Sequence, residues 1–197
     1  LCDWSSDVCS SDLQRSSTPV LRFGQFKNAY SLEALEDAAK TPFVERGIAV
    51  DKLAVNHDRD MGIGFYTPEN SHRPYAYNIS LMNGSGRNRP NASGNKLFTA
   101  RLQLNTVEHH PFLHGNLAVG FSTRLGTVSN LNRVLLDGTG KNIGTVEKEH
   151  YGVDLEYKNS RFRTRAEYLW ARDGDGINSP DVQPEGFYTM VGYRLNH

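Results

Sequence analysis

The segment HYGVDLEYKNSRFRTRAEYLW, residues 150–170, decides the fold. Apolar or aromatic residues alternate with polar ones in 150–158 and again in 161–170, which is the period of a β-strand whose two faces meet different environments. Only Asn159 and Ser160 separate the two runs, a length that predicts a tight hairpin. The segment therefore predicts two antiparallel strands, each with one apolar and one charged face.

The same alternation recurs along the chain on either side of this hairpin. The further segments are 20–27, 59–66, 75–83, 97–106, 115–124 and 186–196, which brings the predicted strands to eight. Only 32–40, LEALEDAAK, has helical spacing, and Ser31 is a suitable N-cap for it. The sequence thus predicts an all-β protein with one short helix, about two turns long, in a long loop.

The links between the predicted strands alternate in length. The long links are 28–58, 84–96, 125–149 and 171–185, and the short ones are 67–74, 107–114 and 159–160. Bacterial outer-membrane barrels have long loops on one side of the membrane and short turns on the other, whereas a soluble sandwich has no reason to keep this parity. The pattern therefore favours an antiparallel transmembrane β-barrel.

Composition and charge exclude several classes of protein. Hydrophobic residues make up 38% of the chain, which is lean for a packed globular core, and no apolar run approaches the roughly 20 residues that a spanning helix needs. Barrel strands stay compatible with this polarity because only every second residue faces lipid. The 22 Lys and Arg residues balance the 22 Asp and Glu residues, which argues against a nucleic-acid partner.

The apolar faces of the eight predicted strands carry almost no charge, although 22% of the chain is charged. Only Lys27 and Arg59, which flank the first long link, share this outward register. Lipid contact explains the pattern, since a lipid-facing Arg or Lys costs roughly 2–4 kcal/mol at mid-bilayer. A closed protein core would give the same pattern, so a soluble β-sandwich or a lipocalin-like binding module stays open as an alternative.

The opposite faces lean to positive charge. Eight cations, less four carboxylates, leave a surplus of four: Arg22, Arg101, Arg124, Lys158, Arg161, Arg163, Arg165 and Arg194 against Asp60, Asp154, Glu156 and Glu167. In a closed barrel this face lines a water-filled pore, where an excess of one sign concentrates the opposite ion. The sequence predicts passive transport of small anions; a sugar-selective channel would instead have aromatic tracks and acidic side chains in the lumen.

The first thirteen residues, LCDWSSDVCSSDL, follow no structural pattern and do not have the form of a signal peptide. They look like the translation of a sequencing-adapter oligonucleotide, so we assign 1–13 to an artefact and 14–197 to one partial outer-membrane barrel domain. Both cysteines, Cys2 and Cys9, fall in this stretch, which removes disulfide and thiolate chemistry from the rest of the chain.

No pattern in the sequence indicates catalysis, a metal site or a cofactor. His109 and His110 are adjacent, so in a strand they point to opposite faces, and His114 supplies no ligand spacing with them. Nucleophile-elbow, phosphate-loop and dinucleotide fingerprints do not occur. We therefore expect a protein that is not an enzyme and has no cofactor.

Three stretches are similar to the phosphate-selective porin O and P family: FGQFKNAYSLEALEDAAKTPFVERG (23–47), RDMGIGFY (59–66) and YAYNISLMNGSGRN (75–88). The resemblance extends over most of 20–196 and is strongest in the first third. It implies a sixteen-stranded homotrimer in the bacterial outer membrane, in contact with outer-membrane lipids and open to phosphate or other small anions. Eight strands would be about half of such a barrel, and we expect parts at both ends to be missing.

The resemblance also implies a place for the first long link. In the family the third long loop folds inward and narrows the pore, which suggests that 28–58 is that loop. Lys40, Glu45 and Arg46 would then stand near the constriction, with Arg22 and Asp60 on the flanking strands.

Overall fold

The computed structural model describes residues 19–36, 41, 43, 45–55, 59–67, 74–88, 94, 96–105, 115–129, 145–174 and 182–195. Leu1 to Leu13 lie outside this set, so the division of the chain at 13/14 stays a prediction. The described residues form a single eight-stranded sheet in which each strand pairs antiparallel with the next one along the chain. This meander is the order that a barrel wall requires.

All eight predicted strands are present. They are β1 (Val20–Lys27), β2 (Arg59–Tyr66), β3 (Tyr75–Met82), β4 (Leu97–Asn105), β5 (Asn116–Ser129), β6 (Thr145–Lys158), β7 (Phe162–Gly174) and β8 (Glu185–Tyr193). Within the described residues β1 pairs only with β2 and β8 only with β7, so the sheet is open. The prediction of an all-β, partial antiparallel barrel is confirmed.

Strands β5, β6 and β7 are longer than the alternation predicted. They contain 14, 14 and 13 residues, and the β6–β7 ladder continues to the pair Glu147 and Gly174. The prediction ended these strands early because the apolar register stops there: Glu149 on β6 faces Arg172 on β7. Backbone pairing needs no apolar face, so the strands extend beyond the uncharged band into water.

The tight hairpin between β6 and β7 is closed by an asparagine. The Asn159 side-chain Oδ1 accepts hydrogen bonds from the backbone N–H groups of Arg161 at 2.8 Å and Phe162 at 2.6 Å. The Asn159 N–H in turn donates to the Phe162 carbonyl at 2.9 Å. Arg161 therefore belongs to the turn, and β7 begins one residue later than the predicted 161.

Over the predicted strand segments the outward register is exposed and uncharged except at Lys27 and Arg59, as the sequence predicted; charged residues such as Glu149 and Arg172 enter this register in the extensions of β6 and β7. Its large exposed side chains include Phe23, Ile63, Phe65, Ile79, Leu81, Phe98, Leu102, Leu104, Phe121, Leu155, Phe187 and Val191. No second sheet among the described residues covers this face. The core of a soluble sandwich would be covered, so that alternative is not supported by the structure.

Aromatic pairs border the exposed apolar band on β7. Phe162 packs on Tyr193 at one end, with ring centroids 4.8 Å apart, and Trp170 stacks at 5.5 Å on Tyr151 and on Tyr168 at the other. The rise from Phe162 to Trp170 is about 27 Å along the strand, which at the usual tilt of barrel strands spans roughly 20 Å of height, within the apolar band of about 25 Å found on outer-membrane barrels. The outer face therefore has an apolar band with aromatic borders that fits within the height of a membrane-facing wall.

The segment after β1 crosses the inner face of the sheet. It contains the helical turn α1 (Leu32–Leu35), whose N-cap Ser31 accepts the Ala34 N–H at 3.3 Å, and α2 (Ile48–Val50), which continues into a π-helical turn, Asp51–Val55. The predicted helix at Ser31 is confirmed but ends after one turn, because Glu36 adopts an extended conformation. The second helical segment was not predicted.

The inward segment packs on the inner face of β7. Tyr30, Val50 and Leu53 from this segment are buried in one cluster with Leu169 and Ala171 of β7. We call residues 28–55 the inward loop; of these, 37–40, 42 and 44 lie outside the described residues. Within the described part of the chain, no helix is long and apolar enough to cross a membrane.

Candidate functional site

The inner wall contains a buried ion pair that spans three strands. Arg101 on β4 binds Asp154 on β6 through two hydrogen bonds, Nη1 to Oδ2 at 2.5 Å and Nη2 to Oδ1 at 2.9 Å. Gly120 of β5 lies between them, and a Cβ there would overlap both charged groups. The missing side chain therefore lets the guanidinium reach across the intervening strand.

A second charged cluster joins the inward loop to β6 and β7. Glu36 of the loop binds Arg163 at 2.9 Å and Arg165 at 2.6 Å, and Glu156 binds the same two guanidinium groups at 2.9 Å each. Partial burial acts to raise the pKa of the Glu36 carboxyl, but the hydrogen bonds from Arg165 and Arg163 outweigh it and leave this pKa lower than usual. Glu36 is therefore held in its charged form.

A third cluster fixes the other end of the inward loop. Arg124 on β5 donates to the Leu53 carbonyl at 2.7 Å, lies 2.9 Å from the Nδ1 atom of His150 and stacks over the Tyr30 ring at 4.9 Å. The Tyr30 hydroxyl donates to the Tyr151 carbonyl at 3.2 Å. Burial raises the pKa of the Tyr30 phenol well above its usual range, although Arg124 opposes the shift. The phenol is therefore neutral.

The start of the inward loop hydrogen-bonds to a buried carboxylate on the wall. The backbone N–H of Leu32 donates to Glu167 of β7 at 2.9 Å, and that of Glu33 does so at 3.5 Å. On the other side, Lys27 donates to the carbonyls of Leu35 at 3.2 Å and Glu36 at 3.1 Å, which satisfies the end of α1. The loop is therefore attached to β1 as well as to β7.

Two of the predicted wall residues near β1 are enclosed by neighbours. Arg22 is half-buried and stacks over Tyr66 at 4.3 Å and over Phe26 at 5.7 Å. Asp60 is fully buried; it accepts the Met61 N–H at 2.7 Å and faces the backbone N–H groups of 84–86. Both side chains are therefore engaged with the protein.

The predicted constriction residues are only partly described. Arg46 is half-buried and Glu45 is exposed, both on the inward loop. Lys40 lies outside the described residues, so its place near a constriction stays a prediction.

Three predicted cations lie together at the tight-turn end of the wall. Lys158, Arg161 and Arg194 are all exposed, and the Arg194 N–H donates to the Arg161 carbonyl at 2.8 Å, which extends the β7–β8 ladder. No described carboxylate lies within 4.0 Å of any of the three side chains. They differ in this respect from Arg101, Arg163 and Arg165, which are all ion-paired.

Sequence reasoning placed Glu167 on the inner wall but missed its contact with the loop, and it missed the loop residues that bind the wall. Glu36, Tyr30 and Glu167 each join loop to wall, yet Glu36 and Tyr30 lie in a segment without strand periodicity. The pairing of Glu156 with Arg165 could have been predicted from the sequence, because the two residues face each other across the tight hairpin. The contacts of Glu36 could not, because they join residues 127 and 129 positions apart in the chain.

Comparison with known proteins assigns the architecture to a family. A family model described as phosphate-selective porin O and P matches residues 15–197, which includes the whole sheet and the inward loop. The chain belongs to this family. Searches of the curated proteins and of the solved structures return no match.

Family membership settles the class of the protein at a coarse level. A phosphate-selective porin O and P family member is a channel of the bacterial outer membrane rather than an enzyme, and small anions such as phosphate are what the family transports. Among the described residues no group of three or more His, Cys, Asp or Glu is placed to hold a metal ion. His109, His110 and His114 lie outside those residues.

Proposed function

We propose that this porin is a passive, anion-favouring pore that conducts phosphate or other small anions as a homotrimer. One observation carries the proposal: among the described residues, the exposed cations Lys158, Arg161 and Arg194 have no carboxylate partner, whereas the carboxylates of the inner wall are engaged. Asp154 and Glu156 are ion-paired, and Glu167 accepts backbone N–H groups. The charge left to act on a passing ion is therefore positive.

These three exposed cations occupy one mouth of the proposed pore. Lys158, Arg161 and Arg194 lie at the end of the sheet that carries the tight β6–β7 turn. Short turns of outer-membrane barrels face the periplasm, so this mouth is the periplasmic one. A cluster of one sign at a pore mouth raises the local concentration of the opposite ion. Arg101, Arg124, Arg163 and Arg165 serve first to hold the wall and the loop together.

Ion selectivity tests this proposal. The full-length porin is reconstituted in planar bilayers under a KCl gradient, and its reversal potential should show that chloride permeates more readily than potassium. A preference for potassium would overturn the proposal and favour a channel of another class. The triple variant Lys158→Gln, Arg161→Gln, Arg194→Gln should lower the anion-to-cation permeability ratio roughly two-fold or more.

A matched control separates this effect from a general loss of charge. Arg172→Gln removes a cation from the outward register of β7, where Glu149 is the partner at 4.0 Å. Its reversal potential should equal that of the wild type. If the triple variant also keeps the wild-type ratio, the three cations do not select the ion.

A further inference from the structure

Two arginines of β7 converge on one carboxylate of the inward loop. Arg163 and Arg165 are two residues apart and share the inner face, so both guanidinium groups point to the same place. Each donates to a different oxygen of Glu36, at 2.9 and 2.6 Å. This donor geometry, with planar forks aimed at the oxygens of one anion, is how proteins bind phosphate and carboxylate groups.

The bound carboxylate is not part of the wall. Glu36 follows α1 in the inward loop, whereas Glu156, on the adjacent strand β6, belongs to the wall together with the two arginines. Glu156 orients both guanidinium groups through one oxygen, at 2.9 Å from each. The four charges sum to zero while Glu36 is in place. Without Glu36 the site is a pair of oriented arginines with a surplus of one positive charge.

The site has an open side. Arg163 retains 32% of its side-chain exposure, whereas Arg165 retains 3% and Glu36 14%. The loop stays attached when the Glu36 side chain leaves, because Glu167 holds the amide of Leu32 and Arg124 holds the carbonyl of Leu53. Displacement of one side chain therefore does not require release of the loop.

We propose that Arg163 and Arg165 form an oxyanion site on the lumen wall, and that Glu36 occupies it as an internal ligand that a phosphate dianion displaces. The idea rests on the proposed function, since it requires the inner face to line an anion pore. Glu36 lowers the affinity of the site for phosphate, because it competes for the same two arginines. Without this competition phosphate would bind tightly and block conduction. When phosphate replaces Glu36, each guanidinium group exchanges one anionic partner for another, so neither arginine is left without a partner.

Phosphate block of chloride current measures the site directly. In the full-length porin, inorganic phosphate titrated into a constant KCl background should inhibit the Glu36→Gln variant with a midpoint about tenfold lower than in the wild type, the equivalent of one charge-assisted hydrogen bond. Adding Arg163→Gln to this variant should restore the wild-type midpoint. Equal midpoints for Glu36→Gln and the wild type would overturn the proposal.

Two further variants separate occupancy of the site from loop charge and from folding. Asp51→Asn makes the same charge change at an exposed position of the same loop and should leave the midpoint unchanged. A fall as large as that of Glu36→Gln would mean that loop charge alone matters, which would also overturn the proposal. Glu36→Asp keeps the charge but shortens the reach, so an intermediate midpoint is expected. This variant tests the idea even if Glu36→Gln does not assemble.

The same recordings distinguish failure of this inference from failure of the proposed function. A wild-type reversal potential of cation preference would refute the anion pore, whatever phosphate does. Anion preference with an unchanged phosphate midpoint in Glu36→Gln and Glu36→Asp would refute only the internal ligand. A larger conductance for both ions without stronger phosphate block would show that Glu36 merely narrows the pore, and would overturn the site.

Discussion

Arg101 and Asp154 form a bidentate ion pair across an intervening β-strand, and the pair passes directly over Gly120. Both charged side chains are almost completely buried. A buried pair is expensive to break, because the remaining charge is left without a partner. Gly120 is therefore a structural requirement of the wall, although it makes no polar contact through a side chain.

Gly120→Ala should destabilise the barrel by about 1–3 kcal/mol, because the added methyl group overlaps the Asp154 carboxylate and the Arg101 guanidinium. The free energy of unfolding from lipid vesicles in denaturant measures this. Gly192→Ala is the matched control: Gly192 lies on the inner register of β8, and its nearest neighbour would be the Arg163 carbonyl at an ordinary 3.6 Å. An equal loss in both variants would show that the ion pair is not the cause.

The alternation of apolar and polar residues predicts some parts of the structure and not others. The two-residue period gives all eight strands and the charge-free outward face, because lipid acts on every second residue. It does not give the extensions of β5 to β7, because the outward register carries charges there, such as Glu149 and Arg172, and the apolar–polar alternation ends.

The candidate site is less predictable than the strands. The sequence correctly places Arg163 and Arg165 on the inner face, because the alternation of apolar and polar residues alone determines the face of each strand residue. Alternation does not say what a side chain binds, and the partner of both, Glu36, comes from a loop whose path is set by tertiary packing. The inner cations therefore divide into paired and unpaired sets that only the structure separates.

Leu155→Arg should cost about 2–4 kcal/mol of stability in lipid, because Leu155 lies in the middle of the outward apolar band of β6. The control Ala118→Arg places the same side chain on the inner face beside Glu156, where it meets an opposite charge. We expect that variant to lose less than about 1 kcal/mol. Unfolding free energies in vesicles decide the point, and equal losses would contradict a lipid-facing outer register.

Asp60→Asn should lower stability without changing ion selectivity. The Asp60 carboxylate is fully buried, accepts the Met61 N–H through Oδ1 and faces the backbone N–H groups of 84–86. An amide NH₂ in place of one carboxylate oxygen would meet these N–H groups as a second donor, and a buried donor left without an acceptor costs roughly 1–3 kcal/mol. The exposed Asp51→Asn is the control and should leave stability unchanged. A shift of the reversal potential in Asp60→Asn would show instead that this carboxylate acts on permeating ions.

Tyr30 should make attachment of the inward loop sensitive to alkali. Because burial raises its pKa, the docked loop favours the neutral phenol. Docking is therefore complete below the pH of about 10 at which a free tyrosine ionises, and is lost as the pH rises through the raised pKa. Single-channel conductance of the wild type should change in this alkaline window as the loop leaves the wall.

Tyr30→Phe removes the ionisable group and keeps the ring that Arg124 stacks on. It loses the hydrogen bond to the Tyr151 carbonyl, worth about 0.5–1.5 kcal/mol, but its conductance should change less than that of the wild type in the alkaline window, because the loop-dependent part is absent. Tyr75→Phe, on the exposed outward face, should retain the wild-type profile. If Tyr30→Phe and the wild type respond alike to alkali, another group controls the loop, and the cluster of Arg124 with Tyr30 serves packing alone.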